Sequence, residues 1–197
     1  VPHPTVLVPD LPGWGDSLPA LTPYTLVGWG SADRFAAYLS CALGDGVLAI
    51  QTRCAANLIQ YLIRGKNVDP GDIILMGHGL GGVVALLSGA LCEGIGGIVC
   101  WSSLGSFQSL AEEENTTWPS AAFLPDGLQF FDLPEVVRAL APCPVLILNP
   151  LDAGQRSLSA SEAASLFSPT GDTVQIVPEC QFPDAVRQIW NLIKEES

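Results

Sequence analysis

Apolar residues along this chain fall into two alternating patterns. Short, nearly continuous runs read as buried strands at Asp72-Ile73-Ile74-Leu75-Met76, Ile95 to Trp101, Pro144 to Leu148 and Asp172 to Val177. Between them the spacing changes to three and four. In Thr52 to Arg64, Leu58 stacks with Leu62 and Ile59 with Ile63, which predicts a helix with Gly65 as its stop. Val83 to Leu91 predicts an apolar helix. Asp132 with Pro134 opens another through Leu140, because proline suits a first helical turn. Ser159-Ala160-Ser161-Glu162 fits a capping box before a helix ending near Phe167. Pro183 starts a last helix with Val186, Ile189, Trp190 and Ile193 on one stripe.

The first third is richer in loops. Thr5-Val6-Leu7-Val8 is a β-branched run closed by Pro9 and the turn-rich stretch Asp10 to Asp16, which predicts a short strand. Leu18 to Gly30 reads as loop and Asp33 to Leu43 as a short helix. Alternating strands and helices predict an α/β fold: a mostly parallel sheet flanked by helices on both faces, in one domain over residues 1–197. Residues 102–127 have no strong period and carry the acidic triplet Glu112-Glu113-Glu114, so a lid-like excursion is expected there.

Composition narrows the function classes. With 8 basic and 20 acidic residues the formal charge is −12, a surface that repels phosphate backbones and argues against nucleic-acid binding. No apolar run reaches the ~18 residues of a membrane span, so no membrane contact is expected. Charged residues make up only 14% of the chain. That is consistent with a face covered by another domain of the same parent chain or by a second copy, and equally with a surface rich in uncharged polar residues. The start, Val1-Pro2-His3-Pro4, has neither initiator Met nor signal-peptide pattern, so a segment of a longer chain or a processed form is expected.

The six cysteines, at 41, 54, 92, 100, 143 and 180, form no C-x-x-C pair, and there are two histidines, so no metal site is expected. Cys100 and Cys143 fall in predicted buried strands, as small apolar fillers.

The candidate chemistry centres on Gly77-His78-Gly79-Leu80-Gly81-Gly82, between a predicted strand and a predicted helix. Gly77, Gly79 and Gly82 match the dinucleotide fingerprint G-x-G-x-x-G. That reading also needs an acid at the end of the next strand, which instead ends Cys100-Trp101-Ser102-Ser103, while Glu93 precedes the strand. The nucleotide reading fails there, and no cofactor is expected. The same corner fits the frame of the nucleophile elbow G-x-S-x-G, with Gly79 where the nucleophile would stand. In that frame the acid follows a later strand, as Asp152 does after Asn149-Pro150-Leu151. The base follows the last strand, in Pro178-Glu179-Cys180-Gln181-Phe182-Pro183, where Gln181 is the best match. Glutamine cannot accept a proton at neutral pH.

From about Ala36 onward the chain resembles the acetyl xylan esterase and related carbohydrate-esterase branch of the α/β-hydrolases. The resemblance is carried by Asn67 to Gly77, by Asp132-Leu133-Pro134 with Leu140-Ala141-Pro142, and by Val145 to Asp152. It implies a reduced α/β-hydrolase fold, lacking the first strands of a full sheet, and a Ser-His-Asp triad that removes acyl groups from sugars. Carried over by position, the nucleophile is Gly79, the acid Asp152 and the base Gln181, so only the acid survives. The oxyanion hole implied by the family would use the N–H of Leu80 and one from the loop Leu11 to Trp14, which includes Gly13.

His78 precedes the elbow position, where the resemblance implies an inward-pointing residue without a catalytic role. Ser102 and Ser103 follow a strand end and are candidate pocket lining. His3, near a terminus, carries no assigned role. The leading expectation is a non-catalytic hydrolase-like domain that binds a carbohydrate, an acyl compound or a protein segment. An esterase built on His78 and the serines near 102, and a nucleotide-binding domain, are the alternatives.

Overall fold

The computed structural model describes residues 5–18, 32–169, 171–181, 184 and 187–189. Helix α1 (Ala32–Ala42) and the long α2 (Val47–Lys66) precede strand β1 (Ile74–His78), helix α3 (Leu80–Ala90) and strand β2 (Gly97–Trp101). Helices α4 (Phe107–Glu112) and α5 (Leu133–Ala139) lead to β3 (Val145–Leu148). Helix α6 (Ala160–Leu166) then leads to β4 (Val174–Val177). The four strands form one parallel sheet in the order β1-β2-β3-β4.

β2 and β3 are the central strands, and their side chains divide the core in two. Ile98, Cys100, Val145 and Ile147 pack on one face with residues of α2, α3 and α5. Val99, Leu146 and Leu148 face the other way, against Cys180 and Ile189. Residues 184 and 187–189 are helical; the rest of the expected last helix, including Val186, Trp190 and Ile193, lies outside the described residues. Continuous apolar runs become central strands because both faces of a parallel sheet are covered.

Local chemistry sets the helix ends. Asp132 with Glu135, and Ser159 with Glu162, form reciprocal capping boxes at α5 and α6. α2 begins five residues before the expected Thr52, because Val47 packs on the core and Leu48 and Gln51 are buried, and Gly46 supplies the extended N-cap. Asn67 in the left-handed region ends it, its N–H donating to the Leu62 carbonyl.

Three expectations are corrected. Thr5–Val8 forms no strand: it makes no ladder, and Val6 and Val8 are 79% and 82% exposed. A strand needs a partner, and β1, the sheet edge it runs beside, leaves its outer side unpaired among the described residues. Residues 102–127 are not a detached lid. Phe107, Leu110, Trp118, Ala121 and Ala122 are buried in the main core. The carboxylate of Asp132 accepts from the Ser106 hydroxyl and from the Phe107 N–H at 2.6 Å, tying α4 to α5. Third, Cys143 lies just before β3 and is only half-buried, its thiol donating to the Ile95 carbonyl at 3.2 Å. None of the six cysteines is in a disulfide.

Candidate functional site

β1 passes into α3 through a single residue, Gly79, with φ +58 and ψ −126. That conformation crowds any residue carrying a Cβ. Its N–H donates to the Trp101 carbonyl at 2.9 Å, and its carbonyl accepts from the Gly82 N–H at 3.1 Å. Strand and helix come so close that a Cβ on Gly77 would lie 2.0 Å from the Gly81 carbonyl oxygen. A Cβ on Gly82 would lie 2.7 Å from the Ser103 hydroxyl. Around the Cβ position of Gly79 itself there is nothing within 4 Å. The turn therefore raises its apex into open space, with no side chain on it. Leu80 opens α3, so its N–H has no intrahelical acceptor.

Cys100 is buried under this corner, its thiol donating to the Gly82 carbonyl at 3.4 Å. Burial pushes that thiol up to about 12, so it supplies no thiolate near neutral pH.

The loop after Thr5–Val8 is wound on itself beside the corner. The Trp14 N–H donates to the Leu11 carbonyl at 2.8 Å and the Gly13 N–H to the Ser17 carbonyl at 3.2 Å. Gln51, buried in α2, donates its Nε2 to the Pro12 carbonyl at 2.8 Å and pins the loop. The Trp14 ring reaches to 3.8 Å from the Cβ position of Gly81. Gly13 and Trp14 thus spend their amides inside the loop, and proline has none. Of the stretch expected to furnish a second oxyanion donor, the N–H of buried Leu11 is the one with no described partner.

The acid and base positions lie on the loops after β3 and β4. Asn149, at φ +48, donates its amide to the Cys180 carbonyl at 2.7 Å and accepts from the Cys180 N–H, which joins those two loops. Asp152 turns its carboxylate to its own loop. Oδ1 accepts from the N–H of Gly154 at 2.8 Å and of Arg156 at 2.9 Å; Oδ2 accepts from Arg156 Nε at 2.8 Å. Burial pushes this carboxyl up, but the Arg156 N–H, its guanidinium and the Gly154 N–H outweigh burial and hold it below the usual aspartate range. Gln181 is exposed. No hydrogen bond links Gly79, Asp152 and Gln181 among the described residues.

His78 is exposed rather than inward-pointing. It lies on the β1 edge of the sheet face that carries Trp101, and meets that ring edge-on with centroids 5.4 Å apart. Ser102 sits at φ +47 with its N–H donating to the Leu148 carbonyl, and Ser103 is buried against Gly82. Neither serine is hydrogen-bonded to His78. Glu93 lies in the turn before β2, at the opposite end of the strand from the corner.

Two cavities formed by the described residues bear on these positions. The larger, about 940 Å³, runs along the β1 edge and takes in Leu11, Trp14, His78 and Leu80 of the expected pocket, whereas Gly13, Ser102 and Ser103 lie outside it. The smaller, about 540 Å³, is lined by Asp152, Ser106, Ser109 and Glu162 together with Leu151, Leu158 and Leu166. Asp152 and the corner therefore open onto different spaces. Among the described residues no group of three or more His, Cys, Asp or Glu could hold a metal ion.

Sequence reasoning missed Gln51, Asn149 and Arg156. Arg156 stands four residues after Asp152 and Asn149 directly follows a strand, both readable signals. Gln51 offered none, falling just outside the predicted helix.

Comparison with known proteins gives two findings. A family model described as alpha/beta hydrolase family matches residues 2–189. Among solved structures, a Bacteroides fragilis protein described provisionally as an acetyl xylan esterase is similar, with a TM-score of 0.65 and 22% identity. The match covers 89% of this chain and 47% of that one, so this chain spans about half the neighbour's length. A search of curated proteins finds no match.

Proposed function

The chain belongs to the alpha/beta hydrolase family, and from that premise we propose that it is a non-catalytic member, a binding module that keeps the hydrolase frame without its acyl-transfer chemistry. The observation that carries this reading is the corner at Gly79. The backbone still makes the tight strand-to-helix turn, and the apex bears no nucleophile. Gln181, at the base position, cannot take a proton at neutral pH, and the Asp152 carboxylate is occupied by Gly154 and Arg156.

Loss of a triad member lowers acyl transfer by about 10⁴-fold or more. A base must reach its nucleophile directly or through one water. The placement of His78, exposed and against Trp101, supports no such pairing with Ser102 or Ser103. The ligand of such a module is of the carbohydrate or acyl class, the class suggested by the acetyl xylan description of the structural neighbour.

The test is hydrolysis of a short-chain aryl ester and of acetylated xylan by the natural chain and by a Gly79→Ser/Gln181→His double variant. The natural chain is expected to be silent and the double variant to gain turnover. Turnover by the natural chain that disappears in His78→Ala overturns the reading.

A further inference from the structure

The larger cavity is the strongest unassigned feature of the molecule. We propose that it binds a neutral molecule with a long alkyl chain, such as a long-chain alcohol or its ester. This rests on the binding-module reading and names its ligand class.

Thr5–Val8 runs beside β1 without pairing to it, and the space between them is the cavity. Leu58, Ile59 and Leu62 of α2 give it one wall, and Leu80 and Val84, one turn apart on α3, give another. Along β1 it extends from Ile73 to His78, about 17 Å at the rise of a strand. A volume of about 940 Å³ lies at the upper end of what ligand sites enclose, about 300–1,000 Å³. On the strap side, Leu7 is 56% and Val8 82% exposed, apolar surface that a bound chain would cover.

Charge selects the class of chain. Among the described residues no lysine or arginine lines the cavity, Asp72 stands at one end, and the whole protein carries −12. A carboxylate or phosphate head would meet repulsion with no cation to neutralise it. His78 is present to hydrogen-bond a hydroxyl or ester oxygen, and the Ser88 hydroxyl, which donates to the Ala85 carbonyl at 3.2 Å, can accept from a ligand hydroxyl. A neutral amphiphile meets both conditions.

The experiment is calorimetric titration of the full chain with dodecanol and, separately, with dodecanoate, which differ in head-group charge. Saturable 1:1 binding of dodecanol, with dodecanoate at least tenfold weaker, is expected. Ala55→Phe, which fills the cavity from half-buried α2, should weaken dodecanol at least tenfold with no loss of Tm. Leu7→Gln, on the exposed strap wall, should weaken it severalfold.

Equal or tighter dodecanoate binding overturns the proposal, as does dodecanol binding that ignores both variants. So does protection of the Thr5–Val8 amides from hydrogen exchange in the free protein, since the strap itself would then occupy the edge. A dimer in sedimentation equilibrium that Leu7→Gln dissociates would give the space to a second copy, with the same result. Ester turnover measured on the same samples separates the two claims. Turnover with dodecanol binding lost in Ala55→Phe removes the binding-module reading and supports the cavity assignment. Silence together with no dodecanol binding overturns the ligand class alone.

Discussion

On the proposed binding-module reading, the corner at Gly79 and the loop at Asp152 are depleted in opposite ways. At the corner the turn, the helix N-terminus and the space above the apex are all present, and no side chain stands on the apex. At the loop the functional group is present and its availability is missing, because three hydrogen bonds hold the carboxylate to its own backbone and to Arg156. A backbone arrangement imposed by close packing is hard to dismantle, since helix and strand would have to separate. A side chain held only by its neighbours is easily redirected. A residue's type is thus weaker evidence of function than the direction in which its atoms are committed.

Substitutions can break this contrast, and their expected effects fall in order. Gly77→Ala should be the most damaging, at about 3 kcal/mol, because its Cβ meets the Gly81 carbonyl and forces α3 off β1. Urea unfolding measures it, and a cost under about 1 kcal/mol would mean the corner is not tightly packed. Asp152→Ala should come next, at about 2 kcal/mol, for the Gly154 and Arg156 N–H groups that lose their charged acceptor.

Gly79→Ser should cost less, about 1 kcal/mol, since its Cβ enters open space and only the backbone conformation is strained. A larger loss would show that the apex is not free. The smallest effect concerns pH. The carboxyl of Asp152 is depressed in the folded chain, so its contribution to stability is present above the ordinary aspartate range and is lost as pH falls through the depressed value. Arg156→Ala should move the Asp152 carboxyl upward in an NMR titration while leaving the melting temperature near neutral pH almost unchanged, as expected of an exposed ion pair. A large drop in melting temperature would show that the arginine holds the loop together.

Much of this fold was legible because its signals are local or saturated. β2 and β3 are continuous apolar runs with turns at both ends, and the caps at Asp132 and Ser159 are written in four residues each. The corner was legible because its glycines answer steric demands that no other residue meets, as the 2.0 Å approach at Gly77 illustrates. Thr5–Val8 was misread because strand propensity describes a residue's fit to a sheet, and nothing local states whether a partner will be present. The packing of 102–127 was missed for a related reason. Phe107, Leu110 and Trp118 have no regular spacing, yet Asp132 and the Asp152 carbonyl, far along the chain, hold that segment in place. The direction of the Asp152 carboxylate is tertiary information as well, although Arg156 at four residues' distance hinted at it.

The order of the strands bears on how the chain comes to be folded. Every ladder joins a strand to the one before it in the chain, and every one is parallel. Among the described residues none of these three ladders is a hairpin, so each must wait for a crossover to be laid down, and such contacts form slowly. The compensation lies in direction. A chain emerging from its amino end can add β2 to β1, β3 to β2 and β4 to β3, each onto an edge already in place. The crossover through α3, the shortest of the three, is the natural nucleus, and the glycines that let α3 lie close to β1 serve that first step as much as the finished site.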